Sequence, residues 1–152
     1  MIDFLNQPGF LGTQAGLRAD LSLILISLSA ILFTIGWRLA VRKRFSTHQA
    51  IQNVAVILNS LVVLLAMVGV FIMQYLPAIP GSLGNKSLAL TAVHAASGTL
   101  GLLYGVYVVL VGNELLPKKL RFKNLKIFMR ISYGLYLMVT MGGIVLYLTL
   151  YG

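Results

Sequence analysis

Residues 51–75 read IQNVAVILNSLVVLLAMVGVFIMQY. The stretch contains no Asp, Glu, Lys or Arg. As a helix rising ~1.5 Å per residue it is long enough to cross a hydrocarbon core of ~30 Å. Three comparable runs lie around it, at 21–41, 88–111 and 128–151. The expected helices cover about 20–42, 50–75, 88–112 and 127–151. The reading is therefore all-α: a polytopic integral membrane protein whose residues 20–152 form a four-helix transmembrane bundle, preceded by an N-terminal arm over residues 1–19.

Composition agrees. Apolar residues make up 59% of the 152-residue chain and charged residues 10%, and the mean hydropathy is +0.92. A soluble domain of this size has too little interior to hide four such segments. Cysteine is absent, which excludes disulfides, thiolate metal sites and a cysteine nucleophile.

The formal net charge of +9 is the signature of a nucleic-acid binder only if the cations form one interaction surface. They are instead sorted by topology. Of twelve Lys and Arg, only Arg18 and Lys86 lie away from the junctions between runs one and two and between runs three and four. The positive-inside rule then places both termini outside and the two basic loops in the cytoplasm. Arg42, Lys43, Arg44, Lys118, Lys119, Arg121 and Lys123 are candidate contacts for anionic lipid headgroups, each worth on the order of 1 kcal/mol near the surface. No nucleic-acid partner and no soluble small-molecule substrate is expected.

The N-terminus shows no cleavable signal: Asp3 precedes any apolar core and no basic segment leads it. The arm turns at Pro8-Gly9. Its apolar residues Ile2, Phe4, Leu5, Phe10 and Leu11 suit the outer interface, a cap on the bundle, or a partner subunit. Asp20 stands where an N-cap for the first helix would. Pro80-Gly81 and Gly84-Asn85 mark the second loop as a turn region. Gly112-Asn113, with Pro117 beyond, ends the third helix. The stretch 114–126 interleaves cations with leucines and reads as an interfacial turn or short helix.

Polar and small residues recur along each run at steps of three and four, which keeps them on one helix face. The stripes are Asp20, Ser27, Thr34; His48, Gln52, Ala55, Asn59, Ala66, Gly69, Met73; His94, Gly98, Gly101, Gly105; and Tyr133, Tyr136, Thr140, Gly143, Tyr147. Lipid offers these groups no hydrogen-bond partner, so the stripes should face inward. Two readings of the glycines stand side by side. They permit close helix packing, or they line a groove for a flat apolar ligand such as haem, quinone or a lipid tail.

His48 and His94 are the residues with most chemistry to offer. The topology separates their depths by roughly 25–30 Å at ~1.5 Å per residue, so they cannot share one metal. His94 lies within the apolar span, where an ionisable residue is a functional hypothesis by default. With Gly98, Gly101 and Gly105 below it, His94 is the candidate metal ligand of a haem b site, with Met67 or Met73 as candidate second ligands and Tyr147 as a hydrogen-bond donor. The plainer alternative is a neutral His94 bonded to Asp20, Ser27, Tyr147 or a carbonyl. His48 suits the interface, where it would titrate or meet a lipid phosphate. Enzyme signals are poor. The three acidic residues, Asp3, Asp20 and Glu114, form no close pair, and no nucleotide loop, HExxH or GxSxG pattern occurs. The expectation is a protein that is not an enzyme.

The order of Gly9-Phe10-Leu11-Gly12-Thr13, a basic loop ending in His48, His94 early in helix three, and Tyr136, Gly142-Gly143 and Tyr147-Leu148 in helix four resembles a known family. It is the small four-helix bacterial membrane family of unknown function that includes a haem-copper oxidase maturation factor. The resemblance runs through most of residues 8–151. Family members also carry a histidine before the last helix, where this chain reads Phe122-Lys123-Asn124-Leu125-Lys126. The resemblance implies a bacterial inner-membrane protein with an assembly or accessory role beside a respiratory or photosynthetic redox complex, and larger membrane subunits as partners. The alternative is a haem b-binding electron carrier using His94.

Overall fold

A computed structural model describes residues 7–78, 84–121 and 123–152. Ile2, Asp3, Phe4, Leu5, Pro80-Gly81 and Phe122 lie outside the described residues. Helices dominate: α1 (Leu17–Val41), α2 (Phe45–Ala78), α3 (Lys86–Gly112) and α4 (Leu125–Tyr151). All four are long and apolar enough to cross a membrane. Large apolar side chains stand exposed along every one of them, Leu65 at 78% and Leu100 at 67% among them. A surface of this kind is stable against hydrocarbon and costly against water.

The helices close a ring in which α1 packs on α2 and α4, and α3 packs on α2 and α4. The hairpins α1–α2 and α3–α4 make the most intimate pairs. Gly36 explains the first. A Cβ there would meet Gln52 Nε2 at 2.5 Å, so the absent side chain lets α2 approach. His48 Nδ1 then bonds the Gly36 carbonyl at 2.8 Å, and Gln52 donates to the Phe33 carbonyl at 3.3 Å. The glycine stripe of α3 explains the second pair. Gly98 faces Val139, Gly101 faces Leu135 and Val139, and Gly105 faces Ser132.

An aromatic seam joins α1 to α4. Phe33 and Tyr136 meet with ring centroids 4.4 Å apart, and Trp37 stacks on Tyr133 at 5.7 Å. Thr34 shares a 3.0 Å hydrogen bond with the Tyr133 hydroxyl, and Tyr136 donates to the Ile26 carbonyl at 3.2 Å.

The inward faces differ from the sequence reading in two places. On α1 the buried residues are Asp20, Ser22, Ser29 and Gly36, so Ser22 and Ser29 join Asp20 inside while Ser27 and Thr34 are half-buried. Ser22 and Ser29 satisfy themselves by donating to the Arg18 and Leu25 carbonyls one turn back. On α2, Ala55 and Asn59 are buried, but Gly69 and Met73 are exposed, Met73 at 80%. The helix is π-wound over Val63–Val68 and Phe71–Tyr75. Each extra residue in a widened turn rotates the remainder of the helix by about 100°. A stripe extrapolated at α-helical spacing therefore leaves the interior beyond Val62.

Both basic junctions lie at one end of the bundle. There Gln49 and Asn53 donate to Asn113 Oδ1 at 2.8 and 2.9 Å, and Asn113 returns a bond to Asn53 Oδ1 at 2.8 Å. The junctions also share a chain-reversing device. After α1, Lys43 N–H bonds the Ala40 carbonyl and Arg44 N–H the Leu39 carbonyl. After α3, Glu114 N–H bonds Val111 and Leu115 N–H bonds Leu110. Each is a Schellman closure with its left-handed residue just past the cap. Those residues are Lys43 (φ 60°) and Glu114 (φ 59°) rather than glycine. Left-handed backbone costs an L-residue roughly 1–2 kcal/mol. Lys43→Gly is therefore expected to stabilise the protein by about 0.5–1 kcal/mol, after the unfolded-state entropy of glycine is subtracted. A rise in the thermal midpoint of the purified protein in detergent would report it, and a fall would show that the lysine side chain contributes more than its backbone costs.

Candidate functional site

The chain's most constrained polar cluster lies at the end opposite the basic junctions. Residues 7–16 fold back across it. Gly9 N–H bonds the Ala15 carbonyl at 2.9 Å, Leu17 N–H bonds Gln7 at 2.8 Å, and Gln14 N–H bonds the Tyr151 carbonyl at 3.1 Å. The arm thus closes on itself and is tied to the last turn of α4. The described part of the arm caps the bundle, one of the arrangements expected for it.

Asp20 holds this cap together. It is fully buried and sits in the first turn of α1, whose N-cap is Gly16. The expected N-cap role is corrected: the carboxylate turns away from its own helix terminus to serve the arm. One oxygen, Oδ2, accepts N–H bonds from Phe10 at 2.6 Å and Leu11 at 2.8 Å. The other, Oδ1, accepts the Tyr147 hydroxyl at 2.5 Å. Thr13 Oγ1 shares a 2.7 Å hydrogen bond with the same Tyr147 oxygen. Two backbone donors and a phenol therefore converge on one carboxylate, and the threonine braces the phenol. Charge-assisted bonds of this kind are about twice as strong as neutral ones. Gly9 is required by the geometry, because a Cβ there would overlap the Asp20 carboxylate and stand 2.6 Å from the Ala15 carbonyl oxygen. The cap leaves Phe10 and Leu11 exposed, at 55% and 42%.

His94 lies against the same face of α4, one turn below Tyr147. A Cβ on Gly143 would stand 3.0 Å from His94 Cε1, and one on Gly142 would stand 3.8 Å from Nδ1. The Gly142-Gly143 pair is the seat of the imidazole. Asp20 and Tyr147, two of the partners considered for His94, are bound to each other and to the cap instead. His48 is at the basic end, tied to Gly36, so the histidines occupy opposite ends of the bundle.

The groove expected beneath His94 is filled. Val139, Leu135 and Ser132 occupy the space opposite Gly98, Gly101 and Gly105 at ordinary van der Waals distances of 3.6–3.8 Å. The residues present do not fit a porphyrin edge along this stripe. Met73 points outward, and Tyr147 is taken by Asp20 and Thr13. Among the described residues, no group of three or more His, Cys, Asp or Glu side chains is placed to hold a metal ion.

At the basic end Arg42, Lys43, Arg44, Lys118, Lys119 and Lys123 are exposed and available to a charged surface. Arg121 is not. Its guanidinium bonds the Glu114 carboxylate at 3.1 Å and the Glu114 and Leu116 carbonyls at 2.8 and 2.7 Å, which braces the loop around the short 3₁₀ turn Lys118–Leu120. The Asp20–Tyr147–Thr13 linkage and the Asn53–Asn113 clamp were not paired from sequence. The only signal for the first was a lone carboxylate in an apolar span together with a tyrosine in the opposite stripe.

Removing the carboxylate should open the cap. In Asp20→Ala, two N–H groups and a phenol lose their acceptor, a loss of about 3–5 kcal/mol, and amide hydrogen exchange at Phe10 and Leu11 should rise sharply. Gly9→Ala should speed the same amides, because the Ala15 carbonyl cannot retreat as a side chain would. Unchanged exchange in both variants would refute the clamp. Glycine substitutions should also separate the two faces of the α3–α4 contact. Gly101→Ala meets only ordinary contacts and should leave the thermal midpoint nearly unchanged, whereas Gly143→Val should displace His94 and lower stability by about 1–3 kcal/mol.

Comparison with known protein families, curated proteins and solved structures found no match.

Proposed function

We propose that the chain is a non-catalytic accessory or assembly-type subunit that docks on larger membrane proteins through the capped end of its bundle. The observation that carries this reading is the use made of Asp20. The one carboxylate buried among the described residues holds a loop in shape, and that loop presents Phe10 and Leu11 outward. A rigid loop with an aromatic and an aliphatic anchor loses little entropy on binding, which favours recognition. The filled glycine stripe supports the same reading, since the bundle is built for packing along its length.

The resemblance of the Gly9–Thr13 segment, His48, His94 and the Gly142-Gly143 pair to the small four-helix family points to a respiratory or photosynthetic redox complex as the partner. The same resemblance implies a bacterial inner membrane, and the charge distribution supports an orientation with the basic loops cytoplasmic. The capped end and its Phe10-Leu11 pair then face outside, and the exposed cations of the basic end meet anionic headgroups.

Purification from native membranes in mild detergent tests the proposal. A stoichiometric membrane partner should accompany the wild-type chain and be lost from a Phe10→Ser/Leu11→Ser double variant that still accumulates in the membrane. A monodisperse, partner-free wild-type protein would count decisively against docking. The alternative, a haem b carrier, predicts a Soret band in the purified protein that disappears in His94→Ala.

A further inference from the structure

Asn59 stands on α2 within the apolar span, 6% exposed. Its side chain makes no hydrogen bond with any described residue, in contrast to Asn53 and Asn113, which pair with each other. It lines a small, partly open cavity with Phe33, Val56, Gly101, Gly105, Ser132 and Tyr136. The cavity measures about 20 Å³, which exceeds the ~10–15 Å³ needed to seat one water and falls far short of an organic ligand. All four helices contribute to its wall. Ser132 also has no hydrogen-bond partner among the described residues, whereas the Tyr136 hydroxyl donates to Ile26.

We propose that this cavity is a binding site for a single ordered water, held by the Asn59 carboxamide and the Ser132 hydroxyl. The reasoning is one of satisfaction. A carboxamide carries two donors and an acceptor with two lone pairs, and hydrocarbon outside the bundle offers nothing to meet them. Cavities lined only by apolar groups stay dry, whereas a roomy cavity with polar partners takes up water. Gly101 and Gly105 form the α3 wall, where an added Cβ would meet only ordinary contacts. The water links α2 to α4 across the ring. The site is independent of the docking role proposed above.

The test uses the intact protein in detergent micelles with asparagine side chains labelled with ¹⁵N. The Asn59 signal is identified as the one absent from Asn59→Leu. Its amide protons should show a cross-peak to water with the sign of a bound, slowly tumbling molecule, and Ser132→Ala should weaken that cross-peak at least twofold. Cross-peaks from Asn59 to protein or lipid protons alone would overturn the proposal, as would rapid exchange of its amide protons with bulk solvent. A high-resolution crystal structure gives a second readout. Density for one water within hydrogen-bonding distance of Asn59 supports the site, and a carboxamide turned onto a protein acceptor overturns it.

Discussion

Every polar group in an apolar span must find its partner inside the protein, because hydrocarbon supplies none. That constraint decides most of what this chain does with its polar residues. Backbone groups are met by four long helices. Ser22, Ser29, Thr91 and Thr99 donate to carbonyls four residues back in their own helices. Such residues are polar in sequence but self-contained in structure, and they neither demand a partner nor mark a site. The residues that reach across helices are the ones that fix the fold: Gln52 and His48 onto α1, Thr34 onto Tyr133, Tyr136 onto the Ile26 carbonyl, Tyr147 onto Asp20, and Gln49 and Asn53 onto Asn113.

The two ends of the bundle meet the same constraint differently. At the basic end, Schellman closures satisfy the terminal carbonyls of α1 and α3, and neutral amides join α2 to α3. The interactions there are short-ranged, and Arg42, Lys43, Arg44, Lys118, Lys119 and Lys123 remain exposed to a charged surface. At the capped end a single carboxylate organises ten residues of arm by accepting from two of its backbone N–H groups and from α4. A buried carboxylate left without such donors would be strongly destabilising, so the arm and Asp20 stabilise each other.

The hydrophobic runs made the helix count and approximate limits legible from sequence, because length and apolarity are local properties. The clustering of cations likewise foretold which junctions share an end. Side-chain direction was less accessible. The α2 stripe held for Ala55 and Asn59 and failed at Gly69 and Met73, since π-wound turns change the phase without leaving a residue signature. Asp20 was recognisable as important, but an N-cap is the local use of an aspartate near a helix start. Its use here depends on a loop nine or ten residues upstream and a tyrosine at the far end of the chain. Spacing within one helix cannot reveal a partner on another, and the same limit hid the Asn113 clamp.

Glycine illustrates why composition alone does not assign a role. At Gly9 and Gly36 the missing Cβ is demanded by a carboxylate and a glutamine side chain pressed against the backbone. At Gly143 it seats an imidazole, and at Gly98, Gly101 and Gly105 it admits side chains of α4. At Gly69 and Gly134 nothing stands within reach. The stripe that looked like a ligand groove is thus continuous with the packing logic of the α3–α4 hairpin. It departs from that logic beside Asn59, where a small space remains. Small residues in a membrane helix allow two outcomes, close packing or a cavity. The neighbouring side chain decides between them: a branched aliphatic closes the gap, and beside Asn59 a small space remains.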